Sequence, residues 1–149
     1  MNIEKYSHDS KSNHQTFHFT SSGPKGSIEK VVTFRKIEEW GEDIYNLSFG
    51  DWDEQKRKIN DQITSDNGDR EKVLATVAAI VLEFSAFFPG KYVYFEGSTS
   101  ARTRLYQMRI SHYYSEICKL YDIYGFRQGV WEEFKPGKNF EAFLILRKK

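Results

Sequence analysis

An α+β domain with a mostly antiparallel sheet and two main helices, in the order β-β-β-α-β-α-β-β, is what this sequence predicts. Three observations carry that prediction. Aromatic and aliphatic residues alternate through 15–37 on either side of "SSGPKG"; two segments, 69–88 and 100–121, keep helical spacing with only the short run "KYVYFEG" between them; and the chain closes on two further extended runs.

The elements follow in order. Phe17 and Phe19 alternate, as do Val32, Phe34 and, less cleanly, Ile28, so the first two strands form a hairpin turned by Gly23, Pro24 and Gly26 with one buried face. A third strand runs from Ile44 to Phe49 and is ended by Gly50. The stretch from Asp53 to Asp69 is strongly polar, with Ile59 and Ile63 as anchors for a short strand extension. In "DREKVLATVAAIVLEFSAFF", Asp69 is placed to cap a helix, Glu71 sits in its first turn, and Pro89-Gly90 stops it. Val73, Val77, Ile80, Val81, Phe84 and Phe88 follow its inner spacing, while Leu74, Ala78 and Leu82 widen the apolar surface almost all round, so burial of most of the helix is expected. A central strand, Tyr92 to Glu96, leads to a second helix from Ser100 to Tyr121, with Tyr106, Ile110, Tyr113, Ile117, Leu120 and Tyr121 facing inward and Gly125 closing the segment. "FRQGVWEEF" and "FEAFLILRK", joined by "KPGKN", read as a closing antiparallel hairpin. A parallel strand step is expected at each helical crossover.

The chain has 149 residues, which suits one domain over 1–149 with residues 1–14 as a loose N-terminal segment. Its 22 basic and 21 acidic residues leave no global field to attract nucleic acid or an anionic membrane, so any anion site must be local. The single Cys118 fits a reducing compartment and looks like a buried, chemically quiet helix position. With neither a secretory apolar region nor a stretch near the roughly 18 apolar residues of a membrane span, the expected location is the cytoplasm.

Two resemblances add to this. "ICKLYDIYGF", 117–126, and the element order resemble the CoA-dependent N-acetyltransferase superfamily. That resemblance implies its topology. It does not carry the cofactor over, because the corresponding helix start, "SDNGDREKVLAT", turns Asp66, Asp69 and Glu71 towards any pyrophosphate; no cofactor is expected. "SSGPKGSIEKVVTF", "YNLSFGD", "NGDREKVLATVAAIV" and "GSTSARTRLYQM" resemble an uncharacterised family of small proteins, mainly from Bacteroidetes, with a Gly-Ser-Thr-x-Ala-Arg-Thr-Arg-Leu-Tyr signature. This second resemblance implies bacterial origin and no mechanism.

One segment is chemically unusual. Gly97 leaves the central strand, and Ser98, Thr99 and Ser100 offer hydroxyls and amides at a helix N-terminus, a geometry that favours anions. Arg102 and Arg104 then add positive charge where the helix dipole already supplies it, at a cost of a few tenths of a kcal/mol each. A carboxylate from within the fold (Glu96, Asp51 or Asp53), a small anionic ligand, or an acidic macromolecule would each compensate.

Other candidates carry less. His8, His14, His18 and His112 lack metal-ligand spacing, and Cys118 and His112 lie about 240° apart on one helix. "GDWDE" reads as a solvated turn, and the tyrosines of "QMRISHYYSEICKLY" as core. No nucleophile with a neighbouring base assembles, so catalysis is left unassigned. Two functions stay open. One is a domain binding an anionic small molecule through Gly97, Ser98, Thr99, Ser100, Arg102 and Arg104. The other is a non-catalytic interaction or homodimeric module, in which these arginines are structural and Trp40, Trp52 and Trp131 form the contact surface.

Overall fold

The computed structural model describes residues 3–11, 14–41, 43–60 and 67–149. Ile63 and Asp66, invoked above, lie outside these. The fold is α+β, with mostly antiparallel strand pairing, and it comprises two compact units. One, here the hairpin unit, takes the chain up to Arg35 together with Leu47–Phe88; the other, the two-helix unit, takes Lys36–Asn46 and Pro89–Lys149.

In the hairpin unit, β1 (Asp9–Lys11) pairs antiparallel with β2 (Thr16–Gly23), and β2 with β3 (Gly26–Lys36). Gly23 faces Gly26 across the tight loop Pro24-Lys25, with Gly26 at a φ of 86° that suits glycine. Phe17, Phe19, Val32 and Phe34 are buried as the alternation predicts. An asparagine near the end of the polar stretch completes the turn: Asn67 accepts from the Lys25 amide at 2.7 Å and donates to the Gly26 carbonyl at 2.9 Å. β4 (Ile44–Asp53) runs straight through Gly50, which the sequence reading makes a stop. Gly50 is there because β5 (Lys58–Asn60) pairs alongside; a Cβ at that position would lie 2.5 Å from the Asn60 carbonyl oxygen. The turn within "GDWDE" accordingly falls later, where the Asp53 carboxylate accepts from the amides of Gln55 and Lys56.

α1 (Arg70–Phe87) lays Phe84 flat on Phe34, ring centroids 4.0 Å apart, and buries Val73, Thr76, Ile80, Val81, Phe84 and Ser85. It is less enclosed than its sequence suggests. Leu82 and Phe87 are exposed, because one face is enough to close this core.

The two-helix unit orders its strands as the start of β4, then β6 (Tyr92–Phe95), β9 (Ala142–Arg147), β7 (Tyr121–Arg127) and β8 (Val130–Glu133). Ile44–Asn46 pairs parallel with Tyr92–Tyr94 across the first crossover, as expected. The second expected parallel step is not between neighbours: β9 inserts between β6 and β7, antiparallel to both. The closing hairpin also differs. "FRQGVWEEF" is itself a hairpin, turned at Gln128-Gly129 with φ of 52° and 78°, so β8 pairs with β7.

The predicted second helix is two helices. α2 (Ser100–His112) and α3 (Tyr114–Leu120) break at Tyr113, whose φ of −105° and ψ of 20° leave the helical region. The break turns Leu120 outward and leaves Cys118 only half-buried, its thiol near the Ser115 carbonyl at 3.7 Å, so the enclosed thiol expected above is not found.

Candidate functional site

Three chemically distinctive regions emerge, each within one unit. The first is the start of α2. Thr99 caps it, accepting from the Arg102 amide at 3.2 Å, and the Gly97 amide donates to Thr103 Oγ1 at 2.9 Å. Arg102 reaches back to donate to the hydroxyl of Ser98. Gly97 is glycine for contact, since a Cβ would stand 2.4 Å from the Thr103 amide nitrogen and 2.7 Å from Arg102 backbone and side chain. The hydroxyls of Ser98 and Thr99, read as ligand donors, thus take internal partners, while Ser100 and Arg104 are exposed. Two of the three carboxylates offered as partners for the arginines are engaged elsewhere, since Asp51 pairs with Lys30 and Asp53 binds its own turn, while Glu96 is exposed.

The second region is a polar network in the hairpin unit that sequence reasoning missed. Lys30, 2% exposed on the apolar face of β3, forms an ion pair with Asp51 on β4. Asp69 stands at the N-cap position of α1 but makes no side-chain capping bond; instead its carboxylate accepts from Tyr6 and Ser21 hydroxyls, each at 2.5 Å. Burial works to raise the Asp69 pKa, but the hydrogen bonds from Ser21 and Tyr6, a backbone bond and the Lys30 charge together hold it below its ordinary value. Asn67 ties in by donating to Ser21 Oγ at 3.2 Å. Every polar atom named here has a partner, as a structural network requires.

The third region is a sheet face of the two-helix unit. Strand alternation and register place Val93, Phe143, Ile145, Ile123 and Tyr121 on one side, all buried, where Phe95 meets Tyr106 of α2. On the other side the same register aligns Tyr92 and Tyr94 with Leu146 and Leu144, then Tyr124 and Phe126, then Glu133 and Trp131. These side chains are half-buried or exposed. Trp40, from the 3-10 turn Glu38–Trp40, sets its ring 5.0 Å from Tyr94 at 82°, and Trp131 lies 6.0 Å from Tyr94 at 73° and 5.2 Å from Phe126. Trp40 remains 49% and Trp131 39% exposed. Trp52, the third tryptophan proposed for a contact surface, belongs to the hairpin unit, where its indole N–H donates to Glu54 at 2.7 Å.

Carboxylates act on the two tyrosines of this face. Burial first, then the charge and hydrogen bond of Glu96, push the Tyr94 hydroxyl up to about 12. Burial and then the charges of Asp122, Tyr92 and Glu133 raise that of Tyr124. The histidines are dispersed: His8 bonds Glu83 at 3.1 Å, His14 stacks on Phe87, His18 meets Trp52 and His112 meets Tyr113.

These features define a small α+β module whose chemistry is concentrated in one helix start, one polar network and one aromatic surface. The chain belongs to DUF6934, a family of unknown function whose model matches residues 2–148. It matches no curated protein and no solved structure. Among the described residues, no helix is long and apolar enough to cross a membrane.

Proposed function

We propose that this protein is a non-catalytic protein-interaction module whose contact surface is the aromatic face of the two-helix unit. The observation that supports this is the placement of Trp40 and Trp131, both exposed and both in ring contact with Tyr94, on the sheet side opposite the buried Val93–Phe143–Ile145 side. Tryptophan and tyrosine gathered at a surface are the residue types that anchor interfaces, since each buries a large area at little entropic cost. On this reading Arg102 is structural, tying the α2 start together through Ser98. Binding of a small anion at Gly97–Arg104 is the second reading, favoured by the exposure of Arg104 just past a first turn that lacks acidic residues.

A photo-crosslinking phenylalanine analogue placed at position 131 tests the first reading in the native host. It should yield a discrete adduct that is lost on Trp40→Ala, whereas the same group at exposed position 119, on α3, should not. Equal labelling from both positions would remove the aromatic face as a contact surface.

A further inference from the structure

Resting on that reading, the charge around the aromatic face identifies what it would accept. Glu96 follows Tyr94 by two residues and its charge acts on the Tyr94 hydroxyl, Glu38 and Glu39 precede Trp40 in its own turn, and Glu133 shares the strand face of Trp131 two residues on. Asp122 lies on the same face beside Tyr124. Strand alternation turns Glu132 away from Trp131, to the reverse side of β8, and Lys138 from the following loop pairs with Glu132 there at 2.8 Å. Lys148, just past β9, pairs with Asp122 at 4.0 Å. The result is an aromatic surface bordered by several carboxylates, of which Asp122 is paired with Lys148.

Such a surface repels phosphate and so disfavours nucleic acid, although stacked rings would otherwise suit unpaired bases. It suits a cation. The negative faces of indole and phenol rings attract a positive charge within about 6 Å, and a carboxylate beside them supplies the counter-ion. Two exposed indole planes are each steeply inclined to the same phenol ring, Tyr94. Arginine fits this better than lysine, because a planar guanidinium stacks on a ring and still presents its forked N–H groups to a carboxylate.

We infer that Trp40, Tyr94 and Trp131 receive an arginine side chain from an extended segment of a partner protein, with Glu96 as its counter-ion. A Trp52→Phe background makes tryptophan emission report Trp40 and Trp131 alone. Blocked pentapeptides with arginine, lysine, glutamine or glutamate at the centre are then titrated. The arginine peptide should bind about tenfold more tightly than the glutamine one, should weaken as salt is raised, and should lose that advantage in Glu96→Gln. Trp131→Ala should abolish the signal change and the binding seen by peptide NMR.

Equal binding of the arginine and glutamine peptides, or an unchanged affinity in Glu96→Gln, would overturn the inference. A crosslink from position 131 that persists at full strength in Glu96→Gln would do the same while leaving the contact surface intact. A crosslinked product at twice the chain mass would make the occupant a second copy and also overturn it. Loss of a specific crosslink at 131 altogether would instead remove the interaction reading on which the inference rests.

Discussion

Asp69 occupies a helix N-cap position without using its carboxylate to cap. Ser21 and Tyr6 reach it from 48 and 63 residues away in sequence. These bonds favour the ionised form, and because its folded pKa lies below the unfolded value, the sign of the pH effect is fixed. The stabilisation is fully present above the unfolded aspartate value, about 3.9, and is lost as pH falls through the depressed folded value. Asp69→Asn should therefore lower stability at neutral pH by about 1–2 kcal/mol, the lower part of the range for bonds to a charged group, since the site is partly open to solvent. It should also flatten the dependence of melting temperature on pH in the acid range. Parallel profiles for the two proteins would show that Asp69 contributes nothing through its charge. No local pattern exposes this role, because an Asp before a helical run reads as a cap wherever its distant partners are unseen. Lys30 is hidden for the same reason: only the pairing of β3 with β4 sets Asp51 beside it.

At the scale of elements, legibility follows the range of the contacts. The β2–β3 hairpin and α1 are readable because turn glycines, alternation and helical spacing are local signals, and β5 was visible through Ile59. The insertion of β9 between β6 and β7 is not, since all three strands are short and apolar and nothing local ranks their pairings. The α2 start was readable as a feature but not in its detail. Its hydroxyls and arginines are local signals, whereas the packing of Gly97 on Thr103 is not. That packing makes a sharp prediction. Gly97→Ala must displace α2 or the strand end to fit a Cβ, at about 1–3 kcal/mol, whereas Thr99→Ala removes one cap bond and costs about 1 kcal/mol. Chemical denaturation of the two variants should rank them in that order. An Ala at 97 as stable as wild type would mean that the helix start moves aside freely.

Across the whole molecule, a formal net charge of +1 conceals a sorting of charge within the two-helix unit. α2 carries Arg102, Arg104 and Arg109 and no acidic residue, whereas the aromatic face is bordered by Glu38, Glu39, Glu96, Asp122 and Glu133. Near neutrality therefore says little about partners, because basic residues gather on α2 while carboxylates border the aromatic face. This separates the two functional readings in one experiment on the intact chain. Arg104 is exposed, so Arg104→Ala should change stability by no more than about 0.5 kcal/mol. If α2 serves the fold, phosphate and sulfate should shift the melting temperature of wild type and Arg104→Ala equally, and crosslinking from position 131 should be unaffected by the substitution. A specific anion would behave otherwise, stabilising wild type by about 2.7 kcal/mol at a hundredfold excess over its dissociation constant. Loss of that stabilisation in Arg104→Ala, with an unchanged ligand-free melt, would assign the α2 start to an anion and displace the aromatic face as the principal site.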